Sequence, residues 1–566
     1  MSTIMKYHWT IAFLCLVTLL SPAAFAEEEV ELDPQVRLLL ERLEAAEKQI
    51  QTLTTELKSV KEAQAQARPF PAAQGTTQEL DDLGLPIGVD GVFTATGAEE
   101  SFRDLPNVAR EMVSFEEIRE DAPDSIPAEL EERLSLLEKG WDDLDSAWTK
   151  FHEAEQKKKS DAAKKPTMSI NGRIHADYWD FVNNSEGIGY FEHPDPMSDN
   201  YGRPPEDRAL FRRIRLEMKG DILETMLWRV QIDFNNPGTP EMKDVYLGFK
   251  ELPFNQQLLI GNQKRPLGLD HLNSSRYNVF MERPFVVEAF NEDARRPGIA
   301  MYGYSDDEVF TWRYGAYFLE NIATDGRVIG QSNQMSLNGR LSASPWYDEA
   351  SDGRGYLHLA IAGMAARTDG DRNASDTNQN EARFRTRVAA RSDTRWLNTE
   401  RIAAADHYEI IGLESIFNYG PLQLVSEYQH NWVQREGEED LQFGGAYAYI
   451  SYFLTGEHIP YDRKTSTIGR VKPFENFFLV DQCTGGCGTG WGAWNVALRY
   501  DYLDLSDDNV LGGVGEAWTS ALNWHWTPYS KLQFDASYGE IDNHRPVNGF
   551  TSGNYFFFGT RFAVEF

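Results

Sequence analysis

From Met168 to Phe566 the sequence falls into segments of 10–13 residues in which apolar and polar side chains alternate, with turn residues between them. A period of two is that of a β-strand, whose side chains point to opposite faces. In SINGRIHADYWDF, Ile170, Gly172, Ile174, Ala176 and Tyr178 share one face; Asn171, Arg173, His175, Asp177 and Trp179 share the other. TMLWRVQIDF and EMKDVYLGFK alternate in the same way. So do segments near 308–318, 334–343, 356–366, 406–419, 421–431, 441–454, 491–503, 515–527, 530–541 and 554–566. These exceed the usual soluble strand of about 5–6 residues. Some connections are tight (221–224, 418–421, 527–530) and others long (182–206, 264–297, 455–490). Short turns alternating with long loops mark a membrane barrel. We count 16 to 17 segments. Single-chain bacterial barrels carry an even number. The expectation is an all-β fold, a transmembrane antiparallel β-barrel of about 16 strands.

A soluble sandwich also alternates, so the chain ends carry weight. YFFFGTRFAVEF places Phe558, Thr560, Phe562, Val564 and Phe566 on one face and stops on Phe566. An amphipathic last strand ending in Phe resembles the C-terminal signal of bacterial outer-membrane proteins. At the other end, residues 1–26 combine Lys6, the apolar run IAFLCLVTLL and Ala24-Phe25-Ala26. That is the pattern of a cleaved secretory signal peptide. No later apolar run reaches 18 residues, so membrane helices are excluded.

Between signal and barrel the period changes. Val36, Leu39, Leu43, Ala46, Ile50, Leu53, Leu57 and Val60 form a heptad seam, which reads as a coiled coil over 27–67. Residues 68–124 are a Pro-, Gly- and acid-rich linker. A second seam, from Leu130 through Trp141 to Phe151, predicts an α-helical, coiled-coil segment over 125–165. The barrel therefore spans 168–566, preceded by an N-terminal helical region in the periplasm that is a candidate link to the cell wall.

Charge on a strand decides which face meets lipid. In FRRIRLEMKG, Ile214, Leu216 and Met218 take one face while Arg213, Arg215, Glu217 and Lys219 take the other. An Arg at mid-membrane depth on the lipid face costs about 2–4 kcal/mol, so the charged face is assigned to the lumen. Arg212 falls on the apolar face and is expected near the membrane edge, where it can snorkel. Arg383, Arg385 and Arg387 alternate in the same way and, with Arg173 and Arg229, extend a candidate basic lining. The barrel region holds 30 Arg and 7 Lys against 55 Asp and Glu. It is acidic overall, so anion preference would rest on a local constriction. Whether these arginines stay free or pair with carboxylates is open at this level. The long segment 264–297 is the constriction candidate, with Lys264, Arg265, Arg276, Arg283, Arg295 and Arg296 as candidate anion ligands. A net charge of −33 argues against nucleic acid as a partner.

Residues 207–304 resemble the phosphate-selective porin O/P family. The runs that carry the resemblance are RRIRLEMKG, WRVQIDF, MKDVYLGF, GNQKRPLGLDHLNSSRYNVFMERPF and RRPGIAMYGY. It implies a trimeric, sixteen-stranded outer-membrane porin whose third loop folds inward and whose arginines and lysines conduct anions such as phosphate. It does not cover the N-terminal heptads. Outer-membrane lipid, small anions and sister subunits are the implied partners. The alternative is a structural barrel that tethers the membrane to the cell wall, with non-selective or cation-preferring conductance.

No catalytic site is expected, since His175, His271, His358, His407, His430 and His525 lack a nucleophile or acid signature beside them. No cofactor or metal is expected either. In an exported chain, Cys483 and Cys487 within DQCTGGCGTG read as a loop disulfide rather than a metal site.

Overall fold

The computed structural model describes residues 166–566 apart from 237, 293, 323–328, 330–332, 376, 389, 478–479, 482–486 and 489, together with residue 139. The signal segment, the heptad seams, the linker and Cys483 of the proposed disulfide lie outside the described residues.

Sixteen antiparallel strands close into one barrel. They are β1 Ser169–Asn184, β2 Arg208–Ile222, β3 Met226–Asp233, β4 Glu241–Leu252, β5 Gln256–Lys264, β6 Arg295–Tyr304, β7 Phe310–Phe318 and β8 Met335–Tyr347. They continue with β9 Gly355–Arg367, β10 Ala405–Tyr419, β11 Leu422–Arg435, β12 Leu441–Phe453, β13 Ala493–Asp507, β14 Val510–Thr527, β15 Ser530–His544 and β16 Gly553–Glu565. Each strand pairs with the next, and β1 closes on β16, so the barrel leaves no open edge. At the seam Asp177 lies opposite Arg561. The Arg561 guanidinium donates to both Asp177 carboxylate oxygens, at 2.7 and 2.6 Å. Phe566 extends the seam: its N–H donates to the Gly172 carbonyl, and its own carbonyl oxygen accepts the Gly172 N–H.

Burial along the strands is inverted relative to a soluble protein. On β1, Ile170, Ile174, Tyr178 and Val182 are exposed, while Arg173, His175 and Asp177 are buried. Leu216, Leu247, Leu341, Ile361, Leu413, Leu498 and Phe558 continue the apolar outer surface. Lipid takes the apolar face, and the charged faces point inward.

Arg212 departs from its sequence-based placement. Between Arg213 and Phe211 the register with β1 shifts, leaving Arg212 as the extra residue of a β-bulge. A bulge re-aims a side chain. Phe211 faces out, whereas Arg212 turns into the lumen and meets Glu282 at 2.7 and 2.9 Å.

Residues 169 and 565 share one end of the barrel, called here the near end. Most of its connections are short: 223–225, 253–255, 305–309, 348–354, 420–421 and 528–529. The exception is 454–492, which sits at this end and not with the long loops of the far end. Part of it enters the barrel, where Tyr461–Asp462 pairs with Thr467–Ile468. Ser466 Oγ lies 2.6 Å from Thr311 Oγ1 and 2.7 Å from Ser342 Oγ. Arg313 donates to the Thr465 carbonyl and Arg340 to that of Ser466.

Two far-end connections, 265–294 and 368–404, also fold inside. The first carries α1 Leu269–Leu272 and α2 Phe285–Phe290. The second carries the Arg383–Arg387 run, which lies in this loop and outside the barrel wall. Only Arg385–Thr386 pairs, with Leu397–Asn398. A sixteen-strand lumen is too wide for wall side chains to fill. The loops pack into part of it with their own apolar residues, such as Phe290 packed edge-on against Phe384 at 5.5 Å.

Gly261, in the GNQKRPLGL run, has φ +142, and a Cβ there would stand 2.3 Å from the Val245 carbonyl oxygen. Gly261→Ala is expected to destabilise the barrel by about 1–3 kcal/mol. The check is the temperature at which the folded band converts on a heat-modifiability gel.

Candidate functional site: the lumen and its arginines

Several wall charges hold the loop 265–294 in place. Glu427 on β11 accepts the backbone N–H of Leu269 at 2.9 Å and of Asp270 at 2.7 Å, capping the start of α1. Lys264 caps its other end, donating to the carbonyls of Leu272 and Asn273 at 2.9 and 3.0 Å. Arg173 donates to Ser275 Oγ at 2.8 Å. Asp535 accepts the Met281 N–H at 2.9 Å, and Arg499 donates to the Glu282 carbonyl at 3.0 Å. Backbone groups taken from water need such partners, and a lumen lined with charged side chains supplies them.

Other candidates pair within the wall. Arg213 lies 3.3 Å from His175, Lys219 is 3.5 Å from Glu217, and Arg229 contacts Glu217. Arg295 forks onto Asp244 at 3.2 and 3.0 Å. Arg296 donates to the Leu319 carbonyl, Arg265 meets Met364 Sδ at 3.9 Å, and Arg276 stands 3.7 Å from Glu565. With Arg173 and Lys264, these nine cations are each less than a tenth exposed. All nine are buried and have partners within the protein.

A smaller group stays partly exposed inside the lumen: Arg215, Arg283, Arg383, Arg385 and Arg387. Arg215 is held by Asp233 at 2.6 Å. Arg283 donates to the carbonyls of Asp270 and Asn273, both at 3.0 Å. Arg383, Arg385 and the unforeseen Arg395 converge on one carboxylate, Glu292, at 3.5, 2.6 and 3.5 Å. Arg387 donates to the carbonyl of Ser392 at 2.9 Å and to that of Asp393 at 3.4 Å.

Arg391 is the residue most plainly missed. Among the described residues its guanidinium has no ion-pair or hydrogen-bond partner. The like charge of Arg212, then partial burial and Arg387, pushes its pKa down to about 9, which leaves it charged at neutral pH. That depression reports a positive local potential, which a visiting anion would relieve. The alternation of Arg383, Arg385 and Arg387 draws attention from a second spacing, four residues apart, in Arg387, Arg391 and Arg395.

Eight partly exposed guanidiniums (Arg212, Arg283, Arg383, Arg385, Arg387, Arg391, Arg395, Arg401) thus stand beside five carboxylates, Asp270, Glu282, Glu288, Glu292 and Glu381. The zone is basic inside an acidic barrel. Guanidiniums suit oxyanions because the planar fork matches two oxygens.

The profile of the family described as phosphate-selective porin O and P matches residues 195–549. Porin O of Pseudomonas aeruginosa is 25% identical over 416 residues, 68% of this chain and 84% of that protein. An uncharacterized protein of Caulobacter vibrioides is 28% identical over 344 residues, 59% of this chain. That match spans 63% of the Caulobacter protein's length, less than two thirds. Among solved structures, an anion-selective porin from Comamonas acidovorans aligns with 71% of this chain and 100% of its own, at 11% identity and a TM-score of 0.42. The outer membrane channel DcaP of Acinetobacter baumannii aligns with 71% of this chain and 98% of its own, at 10% identity and a TM-score of 0.43.

Proposed function

The chain belongs to the phosphate-selective porin O and P family, and from that premise we propose that it is an anion-preferring diffusion pore whose selectivity comes from the arginines of the inward loop 368–404. It is an outer-membrane porin, a channel rather than an enzyme. The finer reading rests on one observation. Arg383, Arg385, Arg387, Arg391 and Arg395 are partly exposed within the lumen, three of them share a single carboxylate, and Arg391 has none among the described residues. An anion entering from the far end meets this excess of positive charge beside the pinned loop 265–294, the proposed constriction. Selectivity in pores arises from charge at such close quarters. Inorganic phosphate and other small oxyanions are the proposed solutes.

The near end, which carries residue 169, is assigned to the periplasm, where the N-terminal heptads would extend. We assign the assembly as a homotrimer. Crosslinking of the protein in outer membranes, with and without residues 27–165, checks the trimer and asks whether the heptads contribute to it.

Planar-bilayer recording tests the central reading. In a KCl gradient the reversal potential is expected to take the sign of chloride permeation, and added phosphate is expected to reduce the chloride current. A reversal potential of cation sign would remove the anion reading and keep the pore.

A further inference from the structure

We infer that Glu192, buried in the first far-end connection, is a positioning residue that sets the pore's selectivity by fixing the turn 391–394 on which the arginine row depends.

Glu192 ends the helix Glu186–Glu192 and is 0% exposed. Its carboxylate is closed off from solvent. Four donors from two other stretches of the chain converge on its carboxylate. The Asp393 backbone N–H approaches at 2.8 Å and that of Thr394 at 3.4 Å. Trp396 Nε1 donates at 2.7 Å and the Arg208 guanidinium at 3.3 Å. An ionised carboxylate has acceptor sites for about four such donors and none to give back. The neighbouring Phe191 carbonyl takes a fifth bond, from Thr394 Oγ1 at 2.7 Å. Arg208 tightens the same turn, donating to the Arg391 carbonyl at 3.1 Å and to Asp393 Oδ1 at 2.6 Å.

The turn so gripped is the one that matters to the proposed pore. Arg391 begins it, and Arg387 is held by the carbonyls of Ser392 and Asp393 within it. The placement of both guanidiniums therefore depends in large part on one buried carboxylate on a different loop, with Arg208 and the Phe191 carbonyl as its helpers. This inference rests on the anion-pore reading, and its test separates the two.

The variant is Glu192→Gln in the full chain, recorded beside the wild type in planar bilayers. The amide keeps the shape but turns an N–H₂ toward groups that can only donate. Sign is the discriminating readout. Removing a negative charge near the passage, with geometry unchanged, would raise anion preference. Releasing the turn lowers it. The expected result is an anion-over-cation permeability ratio lowered about fivefold, with the barrel still heat-modifiable and phosphate block weakened alongside. A ratio that is unchanged or raised in a folded barrel overturns the inference. Should Glu192→Gln fail to assemble, Trp396→Phe removes the indole bond to the Glu192 carboxylate and is expected to lower the ratio about twofold. No change in that variant overturns it equally. A wild-type pore without anion preference defeats both readings; an anion-preferring wild type with unaltered variants defeats only this one.

Discussion

Replacing Arg387 and Arg391 together with Gln is expected to lower the anion-over-cation permeability ratio about tenfold while the barrel still assembles. Arg391 has no ion partner among the described residues, and Arg387 is held only by carbonyls. Neither substitution therefore strands a buried carboxylate. A unit charge about 5 Å from a permeating ion is worth roughly 3 kcal/mol at an effective dielectric of about 20. Screening by lumen salt reduces this. What remains for two charges comfortably exceeds the 1.4 kcal/mol or so that corresponds to tenfold. Arg383→Gln with Arg385→Gln is the informative comparison. Those two already share Glu292 with Arg395, so a smaller loss, about twofold to threefold, is expected. Reversal potentials in KCl gradients measure both. Equal effects for the two pairs would show that the total charge of the loop matters and that the absence of a partner for Arg391 does not.

The wall of this barrel was legible because its rule is local. Each strand alternates, and the cost of charge in lipid tells which face turns in. Phe211 to Gly220 shows both the reach of that rule and its limit. Ile214 and Leu216 face out and Arg213, Glu217 and Lys219 face in, as period two requires. Arg212 breaks the period because a bulge adds one residue to the strand, and no local signal in FRRIR marks it. Its inward turn is explained only by Glu282, seventy positions later in the chain. Long-range partners of this kind are invisible to a pattern read over ten residues.

The loops were legible in a different measure. Length and apolar content suggested that 264–297 folds inside, and the structure places 265–294 there. Which cations would face the solute was not readable. An arginine on the lumen face and an arginine bonded to a loop carbonyl look identical in sequence. Lys264 and Arg173 are examples: both point inward, and both are consumed in holding α1 and Ser275. The Arg383 run differs in that it sits on an inward loop and not in the wall. Its alternation is real, with Phe384 and Val388 buried between partly exposed arginines. Alternation needs only one dry and one wet side, however, and an inward loop has both. The segment 454–492 likewise gave no sign of which end it leaves from, since end assignment depends on counting every strand before it.

Arg561→Met is expected to destabilise the barrel by about 3–5 kcal/mol, the larger effect on stability. Its guanidinium, 1% exposed, serves two carboxylates, Asp177 across the β1–β16 seam and Glu282 on the inward loop, and it also donates to the Met281 carbonyl. Methionine preserves much of the volume but leaves buried negative charge with fewer partners. Breaking one side of a buried pair costs more than the pair contributes. Glu282 retains Arg212 at 2.7 Å, so the uncompensated charge is mainly that of Asp177. That asymmetry makes the effect separable. Asp177→Leu combined with Arg561→Met removes the stranded carboxylate and is expected to recover most of the loss. Asp177→Leu alone should cost less than Arg561→Met, because Arg561 would keep Glu282. Folding titrations in urea measure all three. Strongly additive losses in the double variant would mean that seam packing, and not the buried charge, carries the stability of the closure.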